Sequence, residues 1–150
     1  RAQAVPSEVA GLDRVDVEPS SAAESGPPAS IAASHAGWQH WAPEAIGPQL
    51  AAGQRVFVAF SADWCITCKL NERRVLQNPE VEAAFERAGV LRMHADWTRR
   101  DARIGEELLR HGRAGVPLYL LYEPGAPDAP RVLPELLGAK ELLALLDVGA

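Results

Sequence analysis

The chain has little of what several large classes of protein require. Its 150 residues include only two cysteines, whereas small disulfide-stabilised scaffolds use several bridges in place of a hydrophobic core. The longest uninterrupted apolar runs, such as 56–60 and 142–146, fall far short of the roughly 18 residues that cross a bilayer. These shortages exclude a disulfide scaffold and predict no transmembrane segment in this chain.

Positive charge is also scarce. The 15 Lys and Arg residues are outnumbered by 20 Asp and Glu residues, which gives a formal net charge of -5. Because the chain has no basic arm for a phosphate backbone, nucleic acid is not an expected partner. The chain begins without an initiator Met or a basic-then-apolar leader, so we expect it to be cut from a longer protein.

Composition divides the chain near residue 36. Residues 1–36 are rich in Ala, Ser, Pro and Glu and poor in large apolar side chains, which indicates a flexible linker. The alternative is an N-terminal strand that pairs with the domain, since Val15 and Val17 alternate with polar residues. Residues 37–150 are expected to form one globular domain, to which Trp38 and Trp41 anchor the linker.

Hydrophobic periodicity and capping residues divide the predicted domain into helices and strands. The predicted helices cover 43–52, 64–77, 78–89, 98–112 and 139–146. The predicted strands cover 55–61, 91–97, 117–122 and, after a turn over 123–130, a short edge strand over 131–134. With the two consecutive helices counted as one, the order α-β-α-β-α-β-β-α predicts an α/β sandwich with a mixed sheet.

The two cysteines lie three residues apart, as Cys65-Ile66-Thr67-Cys68, directly after the predicted central strand and at the start of a helix. At a helix N-terminus the unpaired backbone N–H groups and the positive end of the dipole stabilise a thiolate at Cys65. Cys68 lies one turn further on and is expected to be more buried, yet close enough to attack a mixed disulfide formed at Cys65. The pattern predicts a nucleophile at Cys65 and a resolving thiol at Cys68.

A zinc site and an inert disulfide are the two alternative uses of the cysteine pair. A zinc site needs four ligands, and the remaining candidates have no paired ligand spacing; they are His35, His40, His94 and His111. An inert disulfide across so short a loop would remove little chain entropy and stabilise the fold poorly. We therefore expect no metal, and the four histidines offer no partnered catalytic arrangement that the sequence reveals.

Longer motifs connect the pair to a known family. The segment 60–69, Phe-Ser-Ala-Asp-Trp-Cys-Ile-Thr-Cys-Lys, and the later Gly115-Val116-Pro117 resemble the thioredoxin superfamily. The segments 62–65, 78–81 and 95–98, together with Glu72, resemble the C-terminal periplasmic domain of DsbD-type transmembrane disulfide reductases. Asn71-Glu72 and the segment 112–119 are similar to the copper-sensitivity-suppressor (ScsB-like) branch of that family.

The resemblance implies a thioredoxin fold, with a central mixed β-sheet flanked by helices, and a monomeric periplasmic domain of an inner-membrane protein. Such a domain relays electrons by dithiol-disulfide exchange without a cofactor. Electrons would arrive from a membrane-embedded domain of the same parent and leave to periplasmic thioredoxin-like proteins or domains. The alternatives are a membrane-tethered reductant for cytochrome maturation or one dedicated client, and a redox-inert adaptor, against which the intact cysteine pair argues.

The resemblance also implies roles for single residues. Cys65 would be the attacking thiol and Cys68 the resolving thiol. The Val116-Pro117 bond would be cis, with its backbone aligning the partner's chain beside the sulfurs. Trp64 would form part of the docking surface, the alternative being plain packing.

One position departs from the pattern. Many thioredoxins place a buried Asp on the central strand six residues before the first Cys, and here that position is Ala59. The nearby carboxylates are Asp63 and Glu72, and Glu72, at i+4 from Cys68, is the candidate proton acceptor. The alternative is that Glu72 is a solvated helix charge paired with Lys69 or Arg73.

A second charged segment has a plainer interpretation. Arg99, Arg100 and Arg103 alternate with acidic residues, which predicts a solvated helix face rather than a basic site. Trp97, at the end of its predicted strand, is expected to belong to the core.

Overall fold

The computed structural model describes residues 37–147, so the predicted linker over 1–36 and its alternative strand near Val15 and Val17 lie outside the described residues. The strands are β1 Trp38–His40, β2 Val56–Ser61, β3 Leu91–Asp96, β4 Leu118–Glu123 and β5 Ala126–Leu133. The helices are α1 Pro43–Ala51, α2 Ile66–Asn71, α3 Pro79–Ala88, α4 Ala102–Arg110 and α5 Ala139–Asp147. A π-helical turn, Glu72–Leu76, continues α2.

The strands form one mixed sheet in the order β1-β3-β2-β4-β5. β1 and β2 flank β3 in parallel, whereas β4 runs antiparallel to β2 and β5 antiparallel to β4. All six residues of β2 are buried, which agrees with its continuous apolar sequence. The predicted mixed α/β architecture is therefore confirmed, and β2 is its central strand. No helix within residues 37–147 is long and apolar enough to cross a membrane.

The sheet has one strand more than the sequence predicts. Trp38, which the sequence predicts to anchor the linker, begins β1 and pairs with Arg92 of β3. Its ring is buried and meets the rings of Phe57 and Phe85 edge-on, at centroid distances of 6.1 and 6.5 Å. A strand of three residues is too short to show the period-two alternation on which strand prediction depends.

The last strand also differs from prediction. β5 begins at Ala126, inside the region predicted as a turn, and the connection from β4 shortens to Pro124 and Gly125. Gly125 has φ +89°, a conformation that glycine adopts without steric cost. Pro127 and Pro130 are accommodated because β5 is an edge strand that pairs with β4 alone, with a register shift between Leu121 and Glu123.

Side chains on the two faces of β2 enter different parts of the core. Val56, Val58 and Phe60 pack towards α1 and α4, in a cluster that includes Met93 and Leu118. On the other face the Phe57 ring stacks on Tyr119 at 6.1 Å and meets Phe85 of α3 at 5.1 Å. This second face is covered by α2, α3 and α5. Ala59 and Ser61 lie on it as well, because they alternate along β2 with the residues of the first face.

Asn71 joins α2 to the segment between β5 and α5. Its side-chain amide donates to the Tyr119 hydroxyl at 2.9 Å and to the carbonyl of Glu135 at 2.7 Å. Its side-chain oxygen accepts from the backbone N–H of Leu137 at 3.0 Å. The residue is only 1% exposed, so water cannot replace these partners.

We therefore expect Asn71→Ala to lower the free energy of unfolding by about 2–4 kcal/mol, because it leaves buried donors and acceptors unpaired. Denaturant unfolding of the oxidised protein measures the change. The control is Gln77→Ala on the exposed end of the same helical segment, which should change the free energy by less than about 0.5 kcal/mol. Equal effects of the two substitutions would contradict this account of Asn71.

Candidate functional site

Cys65 and Cys68 form a disulfide at the start of α2, with their Cα atoms 5.2 Å apart. Cys65 is the N-cap residue, and its sulfur accepts the backbone N–H of Cys68 at 3.1 Å. The Cys65 side chain is buried but retains 7% exposure, whereas Cys68 has none. The two sulfurs therefore differ: one lies at the helix terminus near the surface, and the other is enclosed.

The loop before Cys65 is fixed by the segment that follows β3. The backbone N–H of Asp63 donates to the Thr98 hydroxyl oxygen at 2.9 Å, and the indole N–H of Trp64 donates to the Thr98 carbonyl at 3.0 Å. The Thr98 hydroxyl in turn donates to the carboxylate of Asp96. Thr98 is thus a supporting residue of the site, a role that the sequence did not indicate, although Thr98 lies in the segment 95–98 that resembles DsbD-type domains.

The surface beside the disulfide is apolar. Trp64 is 47% exposed and Ile66 is 84% exposed. Asp63 is exposed at the edge of this surface and forms an ion pair with Lys69 at 3.5 Å. Large apolar side chains in the open next to a disulfide are typical of a surface that another molecule covers.

Arg100 holds Trp64 in place. Its guanidinium lies over the rings of Trp64 and Trp97, 4.6 and 5.1 Å from their centroids, and its backbone has φ +56°. The prediction that Arg100 lies on a helix face is wrong, because it precedes α4, although its side chain is exposed as predicted. Arg103 likewise lies over Trp41 at 5.5 Å. Trp97 is buried, as expected for a core residue.

The loop before β4 forms the third part of the site. Val116 packs against the cluster formed by Ala62, Cys65 and Cys68. The Val116-Pro117 peptide bond is cis, and the Arg113 guanidinium donates to the Pro117 carbonyl at 3.1 Å. The loop before β4 thereby lies against the two cysteines.

At the end of β2 that leads to the cysteine loop, the second face of the sheet carries polar side chains. Ser61, at the end of β2, is 4% exposed, and its hydroxyl oxygen lies 2.6 Å from Nε2 of His94 on β3. The sequence did not indicate that His94 has this partner. The alternation of Leu91, Met93 and Ala95 carried the missing signal, because it places His94 on the face opposite those apolar side chains.

Glu72 is half-buried at the first residue of the π-helical turn. Burial raises the pKa of this carboxyl above its usual value; Lys69 and a hydrogen bond from Ser61 partly offset the rise, and the charges of Asp63 and Asp96 add to it. Lys69 forms its ion pair with Asp63. Glu72 is therefore partly withdrawn from solvent, and its role as a proton acceptor stays a prediction.

Two further groups of this region have displaced pKa values. Burial lowers the pKa of His94 to about 4, so the ring is neutral at neutral pH. Burial also raises the pKa of the Tyr119 phenol, in spite of its hydrogen bond with Asn71.

Among residues 37–147 no cluster of three or more His, Cys, Asp and Glu side chains could hold a metal ion.

The pKa of His94 has a measurable consequence. Because it lies below the ordinary value of 6.5, the unfolded chain binds a proton in the window from pH 6.5 to about 4 that the folded chain does not bind. The stability that His94 contributes is complete above this window and is lost as the pH falls through it. We expect an NMR titration of the His94 ring to show a midpoint near pH 4.

The titration should be followed on the His94 ring and not through the free energy of unfolding, because the raised pKa of Glu72 changes stability with pH in the opposite direction. A carboxyl whose pKa is raised in the folded chain favours folding as the pH falls, so the two contributions oppose each other in the total. A midpoint near pH 6.5 for His94 would show that its ring is solvated rather than buried against Ser61.

Comparison with known proteins agrees with this geometry. A thioredoxin-like family model matches residues 37–124. Among curated proteins, thiol:disulfide interchange protein DsbD 1 of Pseudomonas aeruginosa is 36% identical over 77 residues, which is 51% of this chain and 13% of that protein. DsbD 2 of the same organism is 35% identical over 86 residues, which is 55% of this chain and 14% of that protein. The chain thus spans a small part of the length of these relatives.

Solved structures share the fold. The C-terminal domain of Neisseria meningitidis DsbD in its oxidised form has a TM-score of 0.56 at 21% identity, over 72% of this chain and 89% of that one. A thioredoxin from Thermus thermophilus has a TM-score of 0.58 at 25% identity, over 73% of this chain and 82% of that one. With a CxxC disulfide at the start of α2 and a family model that covers more than half of its length, the chain belongs to the thioredoxin-like family.

Proposed function

We propose that this domain performs thiol:disulfide exchange, with Cys65 as the attacking thiol and Cys68 as the resolving thiol. The observation that carries the proposal is the difference between the two sulfurs. The Cys65 sulfur accepts a backbone N–H at the helix terminus, which favours a thiolate, and Cys68 has no exposed surface. A partner's sulfur can reach only the first of them.

In the reducing direction the reaction has two exchanges. The Cys65 thiolate attacks a partner disulfide, which forms a mixed disulfide and releases one partner thiolate. Cys68 then loses its proton and attacks the Cys65 sulfur, which forms the Cys65–Cys68 disulfide and releases the second partner thiolate. Two electrons pass to the partner, and a dithiol donor restores the pair by the same exchanges in reverse.

The second exchange requires a proton acceptor inside the domain, because water does not reach Cys68. The proposed acceptor is Glu72. It lies one turn after Cys68, and its backbone N–H donates to the Cys68 carbonyl. A half-buried carboxyl with a raised pKa can take and return a proton more readily than a fully solvated one.

Similarity to DsbD proteins supports a finer proposal on partners and location. The domain would receive electrons from a membrane-embedded domain of the same parent protein and pass them to periplasmic thioredoxin-like proteins or domains. The exposed Trp64 and Ile66 and the Val116-Pro117 loop beside the cysteines offer a contact surface for such partners. Assignment to the copper-sensitivity-suppressor branch stays a prediction from the sequence.

Serine substitutions at the two cysteines test the proposed roles. Cys65→Ser should abolish reduction of a protein disulfide, because no nucleophile remains at the surface. Cys68→Ser should accumulate a mixed disulfide between Cys65 and the partner, because the second exchange cannot occur. Non-reducing gel electrophoresis and mass spectrometry of the adducts measure both outcomes.

The control for the serine substitutions is Thr67→Ser, a substitution inside the motif that leaves both sulfurs in place, and it should retain activity. Trapping of a partner through Cys68 in Cys65→Ser, as efficiently as through Cys65 in Cys68→Ser, would contradict the assignment. Absence of exchange in the unsubstituted protein would overturn the proposed function itself.

A further inference from the structure

The loop between β3 and α4 places a positive charge beside the disulfide. Trp64, which directly precedes Cys65, is 47% exposed, and the Arg100 guanidinium lies 4.6 Å from its ring centroid. The indole N–H of Trp64 donates to the Thr98 carbonyl at 3.0 Å. The same loop thus fixes the Trp64 ring by its edge and stacks a cation on its face.

The acidic residues closest to Arg100 in the sequence are bound to other donors. The Asp96 carboxylate accepts from the backbone N–H of Thr98 at 3.0 Å and from the Thr98 hydroxyl. The Asp101 carboxylate caps α4 and accepts from the backbone N–H of Ile104 at 3.1 Å. Within residues 37–147 the Arg100 guanidinium forms no ion pair with a carboxylate, so its charge is not compensated by a direct contact.

Two other arginines of this segment lack that combination. Arg103 also stacks on a ring, that of Trp41 at 5.5 Å, but it pairs with Glu44 at 3.8 Å. Arg99 is exposed, and no ring lies beneath its guanidinium in the described part of the chain. Arg100 is therefore distinguished by a charge that is both unpaired and held in a fixed position.

The backbone of Arg100 is in an unfavourable conformation. Its φ of +56° lies in the left-handed region, which residues with a side chain rarely adopt. Glycine would make the same turn without steric cost. Strained conformations of this kind are concentrated at functional sites. The side chain at position 100 therefore contributes something that glycine could not.

A stacked guanidinium can still bind an anion. Its five N–H donors lie in the plane of the group, whereas the contact with a ring uses its face. Because Arg100 is exposed, the donors at its rim are accessible to a carboxylate from another molecule. The stack also restricts the side chain before binding, which lowers the entropy lost when a carboxylate is bound.

Other charges at the edge of this surface compensate each other. Asp63, which is exposed and precedes Trp64, forms its ion pair with Lys69 at 3.5 Å. The surface around Trp64 and Ile66 is therefore apolar with one uncompensated cation, that of Arg100.

We propose that Arg100 determines specificity by binding a carboxylate of the partner, so that the domain prefers protein disulfides with an acidic side chain close to one of the two cysteines. The inference rests on the proposed function, since it names the class of partner for the same cysteine pair. Arg100 takes part in binding only. Two electrons still pass from the thiols of Cys65 and Cys68 to the partner disulfide, as in the two exchanges described above.

The test uses three synthetic peptides with the same intramolecular disulfide and with Glu, Gln or Lys next to the second cysteine of the peptide. The second-order rate constant for their reduction by the reduced domain is measured by acid quenching and chromatography at low ionic strength. Each value is divided by the rate constant with dithiothreitol, which removes the intrinsic effect of the peptide charge on its disulfide.

The normalised rate constant should be highest for the Glu peptide and lowest for the Lys peptide. The ratio of the Glu peptide to the Gln peptide should be about two- to fivefold, the range for an exposed ion pair. This ratio should fall towards one in about 1 M salt, where charges are screened beyond roughly 3 Å.

Substitutions of Arg100 should change the ratio in a direction that follows the charge. Arg100→Gln should bring it close to one, and Arg100→Glu should reverse the preference in favour of the Lys peptide. Arg100→Lys keeps the charge and should restore a preference for the Glu peptide. Loss of support for Trp64 would slow all three peptides alike and cancel in the ratio, so a purely structural role of Arg100 would not change it.

The matched control is Arg99→Gln, which removes the same charge one residue earlier, from a side chain that stacks on no ring in the described structure. It should preserve the ratio of the Glu peptide to the Gln peptide. This control separates a fixed contact at Arg100 from an effect of net charge.

Equal normalised rate constants for the Glu and Gln peptides, an unchanged ratio in Arg100→Gln, or an equal loss of the ratio in Arg99→Gln would overturn the inference and leave the proposed function standing. The peptide and salt series with the unsubstituted protein measures the preference even if an Arg100 variant does not fold. Failure of the unsubstituted domain to reduce any of the three peptides would instead contradict the proposed function.

Discussion

The hydrogen bond from the Cys68 backbone N–H to the Cys65 sulfur is the interaction on which the site depends. It makes Cys65 the cap of α2, so one sulfur faces the unpaired donors of the helix while the other lies one turn inside. Other segments of the domain hold this cap in place. β2 ends shortly before Cys65. Thr98 accepts hydrogen bonds from the loop between them, and Val116, in the loop before β4, packs against the two cysteines.

Enclosure of Cys68 protects the resolving thiol from solvent and from partners, but it also isolates the thiol's proton. An acidic side chain on the central strand β2 could accept this proton, but the corresponding residue here is Ala59. Three polar side chains from separate elements lie in this region: Glu72 from the π-helical turn, Ser61 from β2 and His94 from β3. The π-helical turn begins at Glu72, and such irregular turns frequently occur at functional sites.

Features that depend on local chemistry could be predicted from the sequence. The continuous apolar run identified β2, and the N-caps of α3 and α4 are Asn78 and Asp101, residue types that commonly cap helices. The spacing of Cys65 and Cys68 located the disulfide. In each case the signal lies within a few residues of the feature that it predicts.

Features that depend on contacts between distant segments could not be predicted. β1 is too short for any periodicity, and it exists because Trp38 pairs with β3 and buries its ring. The Ser61–His94 hydrogen bond joins residues that are 33 positions apart. The charge pattern around Arg100 predicts a helix face, because such a pattern does not reveal that two tryptophan rings lie beneath the guanidinium.

The difference between the two sulfurs can be measured directly by alkylating the reduced domain with iodoacetamide at neutral pH and following each cysteine by peptide mass spectrometry. The account predicts that Cys65 is modified first, that Cys68 remains unmodified on the same timescale, and that disulfide reductase activity falls in proportion to the alkylation of Cys65. Equal rates at the two cysteines, or modification of Cys68 before Cys65, would contradict it.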